Sequence, residues 1–169
     1  MTSNKTVTDV YPSRVDANPK ILERQDPVVY PNSFRGPLSE SDLSFFEENG
    51  YLFKENYFTP EEIKSLQDEM FRMLEASKGE KRPEVILEPE GEEVRSIFAV
   101  HRDNPVFQSL SEHPKLVDAA KQILGSDVYI HQSRINFKPG FNGKEFQWHS
   151  DFETWHTEDG MPRMRALSC

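Results

Sequence analysis

His149 and Asp151 stand two places apart within Phe146-Gln-Trp-His-Ser-Asp-Phe-Glu-Thr-Trp-His156. On an extended strand, residues with that spacing point to the same face, so the imidazole and the carboxylate would converge. Together they would supply two-thirds of a 2-His-1-carboxylate facial triad. Such a triad grips Fe(II) from one side and leaves its other positions open to oxygen and a co-substrate. The third ligand would be a histidine from a distant part of the fold. Phe146, Trp148, Phe152 and Trp155 crowd around the pair, an aromatic density suited to excluding water from a metal centre. A His-x-Asp pair is equally the pattern of an ordinary surface hydrogen bond, and spacing alone leaves both readings open.

The preceding stretch carries a second set of polar groups. Strand alternation puts Gln132, Arg134 and Asn136 on one face and Ser133, Ile135 and Phe137 on the other. That polar face either meets solvent, as one side of many antiparallel sheets does, or lines a barrel interior and meets a polar ligand. His101, His113 and His131 lack ligand-like spacing and read as surface or hydrogen-bonded histidines. His156 follows His149 too closely to be the distal ligand from a separate strand. Glu158-Asp-Gly160 reads as a turn. Neither a phosphate-cradling glycine pattern nor a nucleophile elbow is present.

Elements that would position these groups can be traced along the chain. Residues 1–37 read as an extended lead-in, since Pro12, Pro19, Pro27, Pro31 and Pro37 interrupt any helix. Ser39 with Asp42 starts a helix that Gly50 stops, with Phe45 and Phe46 on its apolar side. Thr59, Pro60 and Glu62 start a second, with Ile63, Leu66, Met70 and Met73 at helical spacing and Gly79 at its end. Both methionines read as core filler. Glu80–Glu93 reads as an acidic loop, Val94–Val100 as a strand and Pro114–Leu124 as a helix closed by Gly125. Strands are expected over Val128–Phe137 and Glu145–Asp151, with a turn at Pro139–Gly143 between them, and a further strand from Arg163. Helices first and strands later is an α+β pattern, with helices buttressing an antiparallel sheet.

Length and composition exclude several classes. At 169 residues the chain suffices for one domain with a buried core. Its 36% hydrophobic and 29% charged residues suit a soluble globular protein. A net charge of -9 argues against a nucleic-acid partner and reads as solubility. Nothing approaches the roughly 20 apolar residues of a membrane span, and Met1–Asp9 lacks a signal-peptide core. The lone cysteine, Cys169, excludes an internal disulfide and fits a reducing cytoplasm.

Taken together, Gln132–Gly140, Phe146–His156 and Glu158–Leu167 resemble the ectoine hydroxylases. These form a group in the phytanoyl-CoA-dioxygenase-like branch of the iron(II)/2-oxoglutarate-dependent dioxygenases. The proline-rich entry, Gly50-Tyr-Leu52 and Arg95–His101 agree with the resemblance. It implies a double-stranded β-helix (jelly-roll, cupin-like) core with flanking N-terminal helices. It also implies hydroxylation of ectoine to 5-hydroxyectoine, a compatible solute against osmotic and heat stress, with Fe(II) as cofactor and 2-oxoglutarate and O2 as co-substrates. Position by position, it implies His149 and Asp151 as the first two iron ligands, with no catalytic side chain beyond the ligands. Gln132, Arg134, Thr154 and Trp155 would hold ectoine, and Asn136 would lie near 2-oxoglutarate. The chemistry agrees: Arg134 offers a fork of donors to ectoine's carboxylate and Trp155 a π-face to its cationic ring. A zwitterion enters a dry pocket only where both charges find partners.

The resemblance further implies a homodimer. Members of the group continue past the equivalent of Cys169 into segments bearing the distal histidine and an arginine for the far carboxylate of 2-oxoglutarate. The expected layout is therefore a lead-in over 1–37 and, over 38–169, the N-terminal part of a single dioxygenase domain, incomplete at its C-terminus. The 169-residue polypeptide alone is expected to be inactive or poorly folded. Rival readings are a related dioxygenase with another small substrate, and a non-catalytic cupin-like binding protein in which His149 and Asp151 are merely hydrogen-bonded.

Overall fold

Reciprocal capping starts the first two helices of the computed structural model, which describes residues 8–18, 20–89, 91–140 and 143–169. The Ser39 hydroxyl accepts from the Asp42 amide while the Asp42 carboxylate accepts from the Ser39 amide, opening α1 (Glu40–Asn49). Thr59 and Glu62 repeat the arrangement for α2 (Pro60–Ser77). Gly50 and Gly79 adopt the left-handed conformation just past each helix, as their positions in the sequence predict. Pro19, and Phe141 and Asn142 of the expected turn, lie outside the described residues, as do residues 1–7 of the lead-in.

The sheet is antiparallel, in the order β1 (Val85–Leu87), β2 (Val94–Phe98), β3 (Arg134–Asn136). Ile97 pairs with Val85 on one side and Ile135 on the other, which brings three aliphatic side chains to one face. Ile97 and Val94 are almost fully buried there with Met73, Val85 and Val100, and Phe107, Ile135 and Phe137 pack against them. Met73 thus belongs to the core, whereas Met70 is half-buried.

Several elements differ from expectation. β1 falls inside the stretch read as a loop, because three residues between acidic flanks are too short for alternation to show. The strand expected over 94–100 ends at Phe98: Ala99 turns the chain at φ 57° and Val100 opens α3 (Val100–Asp103). α4 (Pro105–Ser111), capped by the Asn104 carboxamide, has no counterpart among the expected elements. α5 (Pro114–Leu124) has its expected bounds. Gly125 closes it at φ 63°, where an added Cβ would come within 2.9 Å of the Tyr30 Cβ.

The expected strand over Val128–Phe137 contracts to Arg134–Asn136, although its alternation holds: Gln132, Arg134 and Asn136 are exposed, and Ser133, Ile135 and Phe137 half-buried. Residues 143–150 and 163–168 form no strand. Extended residues become a strand only where a neighbour completes the hydrogen-bond ladder, and among the described residues the sheet has three strands, none of them from these two segments.

The described part of the lead-in and its junction with α1 are tied to the rest of the chain at several points. The Tyr30 amide donates to the Ile123 carbonyl at 2.8 Å, and the buried Gln122 carboxamide exchanges two hydrogen bonds of 2.9 Å with the Leu38 backbone. The architecture is thus α+β, helices against a small antiparallel sheet. No helix among the described residues is long and apolar enough to cross a membrane.

Candidate metal centre

His149 and Asp151 face each other, though not as members of one strand. Asp151 is the first residue of α6 (Asp151–Thr157), whose cap is Ser150, its hydroxyl accepting from the Glu153 amide. The Ser-x-x-Glu start inside an aromatic-rich stretch is the local signal for this helix where a strand is expected. His149 Nε2 lies 3.3 Å from Asp151 Oδ1. Two donors bound about 2.1 Å from one metal at roughly right angles would be about 3 Å apart, so this separation suits a shared ion.

The tautomer of the ring follows from its other contact. His149 Nδ1 lies 2.7 Å from the Gln147 carbonyl oxygen, which can only accept, so Nδ1 carries hydrogen. A neutral ring then turns the lone pair of Nε2 towards the Asp151 carboxylate. Two acceptors in that relation repel unless a proton or a cation sits between them. A backbone carbonyl that fixes the tautomer of a histidine is a common support for a metal ligand.

The surroundings are more open than the aromatic content suggests. The side chains of His149 and Asp151 are 49% and 40% exposed. Trp148 is fully exposed, so it walls off nothing, while Phe152 and Trp155 are half-buried on α6. Among the described residues, no group of three His, Cys, Asp or Glu side chains gathers around one point. A concavity of about 200 Å³ between α2 and β2, lined by residues such as Met73, Phe98 and Asn104, includes none of the expected site residues.

The two sets of expected site residues come near each other beside His131. The Trp155 ring packs edge-on against His131, centroids 5.4 Å apart, which brings α6 beside the chain leading to Gln132 and Arg134. Among the described residues, the side chains of Gln132 and Arg134 make no hydrogen bond, leaving an amide and a guanidinium fork free. Asn136 is engaged, its Oδ1 accepting from the Ser96 hydroxyl at 2.8 Å. Thr154 sits on α6 near Arg14, whose guanidinium is 3.4 Å from its Oγ1.

α6 is held by groups whose part in holding it no sequence pattern shows. Tyr11, 1% exposed, packs edge-on against Phe152. Arg14 reaches Glu153 at 2.9 Å and Glu158 at 2.6 Å. His156 donates from Nδ1 to the Met161 carbonyl at 2.7 Å, and its Nε2 lies 3.0 Å from Asp9. The Met161 carbonyl and Asp9 both hold the His156 pKa above its ordinary value, against the opposing effect of burial. Of the other histidines, His101 bonds Ser133, His113 caps α5 and His131 pairs with Asp159 at 3.0 Å, as their lack of ligand spacing implied.

Over residues 46–169 the chain matches the phytanoyl-CoA dioxygenase (PhyH) family, and it belongs to that family. Among curated relatives it is 53% identical to an ectoine dioxygenase of Bordetella bronchiseptica over 162 residues, 95% of this chain and 53% of the relative. To an ectoine dioxygenase of Streptomyces coelicolor it is 46% identical, over 99% of this chain and 56% of the relative. It superposes on the crystal structure of EctD from S. alaskensis with 2-oxoglutarate and 5-hydroxyectoine at a TM-score of 0.87 and 44% identity, covering 94% of this chain and 56% of that one. On the same protein with bound Fe the TM-score is 0.85. The chain spans about half the length of the curated relatives it matches.

Proposed function

We propose that this chain serves an iron(II)/2-oxoglutarate-dependent hydroxylation of ectoine to 5-hydroxyectoine, with His149 and Asp151 as two of the iron ligands. What carries this reading is the pair itself: a histidine with its Nδ1 engaged and a carboxylate, 3.3 Å apart, in a chain 53% identical to an ectoine dioxygenase. The donors fit iron in kind, a neutral imidazole nitrogen and a carboxylate oxygen, with open positions left over. Bound iron with 2-oxoglutarate would supply the oxidising chemistry.

The remaining residues bind and orient. The unengaged Arg134 fork and Gln132 amide receive the carboxylate of ectoine, while Trp155 offers its ring to the cationic amidine and Thr154 a hydroxyl. Asn136 lies towards 2-oxoglutarate. The scaffold in this reading is a double-stranded β-helix, with 38–169 as its N-terminal part and 1–37 as a lead-in, in a cytoplasmic homodimer. A TM-score of 0.87 to EctD supports that scaffold.

Turnover by the native gene product tests the proposal: 5-hydroxyectoine should form from ectoine only when Fe(II) and 2-oxoglutarate are both supplied. Hydroxylation of proline or phytanoyl-CoA in preference to ectoine would instead mark a relative with another substrate.

A further inference from the structure

We infer that Arg95 is a positioning residue for the metal centre, acting on His149 through the backbone that precedes it; the inference rests on the reading of His149 as an iron ligand. Residues 144–150 are exposed and form no helix or strand, so the first ligand rides on backbone that no ladder holds. A metal ligand must nonetheless stay within about 0.5 Å of its working position.

One side chain of β2 supplies the missing anchor. Arg95 Nη2 donates to the Glu145 carbonyl at 3.0 Å, and the guanidinium carbon lies 4.0 Å from the centroid of the Phe146 ring. The next residue, Gln147, provides the carbonyl that orients the His149 ring. A backbone hydrogen bond and a cation–π contact thus grip adjacent residues immediately before that carbonyl.

Arg95 is itself fixed from below. Its Nη1 donates at 2.9 Å to Oε2 of Glu88, whose side chain is 1% exposed. The other oxygen, Oε1, is buried without a hydrogen-bond partner among the described residues, where Arg95 supplies the only side-chain bond this carboxylate has. A buried carboxylate left half-satisfied is costly, which gives the guanidinium a strong reason to stay. Only a planar fork can serve a carboxylate, a carbonyl and an aromatic face at once; a lysine ammonium can keep the ion pair but not the whole set.

Co(II), whose visible absorption reports ligand geometry, is the probe. It would be titrated into the wild-type protein, His149→Ala, Arg95→Lys, Phe146→Leu and the double variant Glu88→Gln/Arg95→Met, which leaves no buried charge unpaired. Arg95→Lys and the double variant should bind Co(II) about tenfold or more weakly with altered bands, the scale expected when the support of a ligand is lost. Phe146→Leu should lose severalfold, and the metal-free thermal midpoint of Arg95→Lys should stay near wild type. The inference is overturned if the Arg95 variants bind as wild type while His149→Ala loses the metal. If wild type takes up no Co(II), or His149→Ala binds equally well, the iron-ligand reading itself has failed. Should the double variant not fold, Arg95→Lys and Phe146→Leu decide by the same criterion.

Discussion

The Tyr11 hydroxyl donates to Asp26 Oδ2 at 2.8 Å, and both residues are buried although they lie in what reads as an extended N-terminal lead-in. The same hydroxyl accepts from the amides of Gln25 and Asp26. Asp26 in turn receives Arg163 Nε and the Met164 amide, each at 2.9 Å. The lead-in therefore clasps the chain on the far side of α6, while the Tyr11 ring presses on Phe152 one residue after Asp151.

Removing the Tyr11 hydroxyl alone should loosen this clasp. Tyr11→Phe keeps the ring but strips a buried carboxylate of a donor and two amides of their acceptor, at a cost of about 1–3 kcal/mol. Denaturant titration should show a lower midpoint with an unchanged slope; an unchanged midpoint would mean that water serves these groups equally well.

Acid should release the clasp at a defined point. Burial favours the neutral form of Asp26, but the hydrogen bonds from Arg163, Tyr11 and the Met164 amide outweigh it and hold the pKa at about 2 against an ordinary 3.8. A depressed carboxylate stabilises the fold above its unfolded pKa and loses that effect as pH falls through its folded value, a contribution of about 2 kcal/mol. Asp26→Asn should therefore flatten the stability loss between about pH 4 and pH 2. A wild-type acid limb in the variant would remove Asp26 from the account.

His156 should act in the opposite sense. Its folded pKa is raised, so its contribution is complete below the unfolded value of about 6.5 and disappears as pH rises through the folded one. Asp9 is the charged group that faces it, with Tyr11 and Phe152 as its ring neighbours. Melting curves from about pH 6 to pH 9 should decline less for His156→Gln and Asp9→Asn than for wild type. Equal declines in all three would contradict the pairing.

Ile97 is the centre of the small core, 1% exposed and paired on both sides. Ile97→Ala should cost about 2–5 kcal/mol, the range for buried aliphatic truncations, read from chemical denaturation. A cost below about 1 kcal/mol would show that the core collapses around the gap.

How far the sequence foretells all this depends on the range of the interaction. α1, α2 and α5 are legible because their caps and stops are local: Ser39 with Asp42, Thr59 with Glu62, Gly125. The face carrying Gln132, Arg134 and Asn136 is legible because alternation is local too. Strand lengths are not, since Val128–Phe137 becomes a strand only across from Ser96–Phe98. Nor are Arg95 beneath Phe146 or Tyr11 against Phe152, contacts spanning 51 and 141 positions that no short pattern encodes. Strand alternation would pair His149 with Asp151, yet a helix start is what brings the carboxylate round.

Anaerobic Fe(II) titration followed by calorimetry tests the central claim most directly. The native gene product should take up one equivalent, and His149→Ala and Asp151→Ala should each abolish that uptake while keeping its metal-free thermal midpoint. Uptake that survives both substitutions, or no specific uptake by the wild-type protein, would contradict the assignment of an iron centre to this pair.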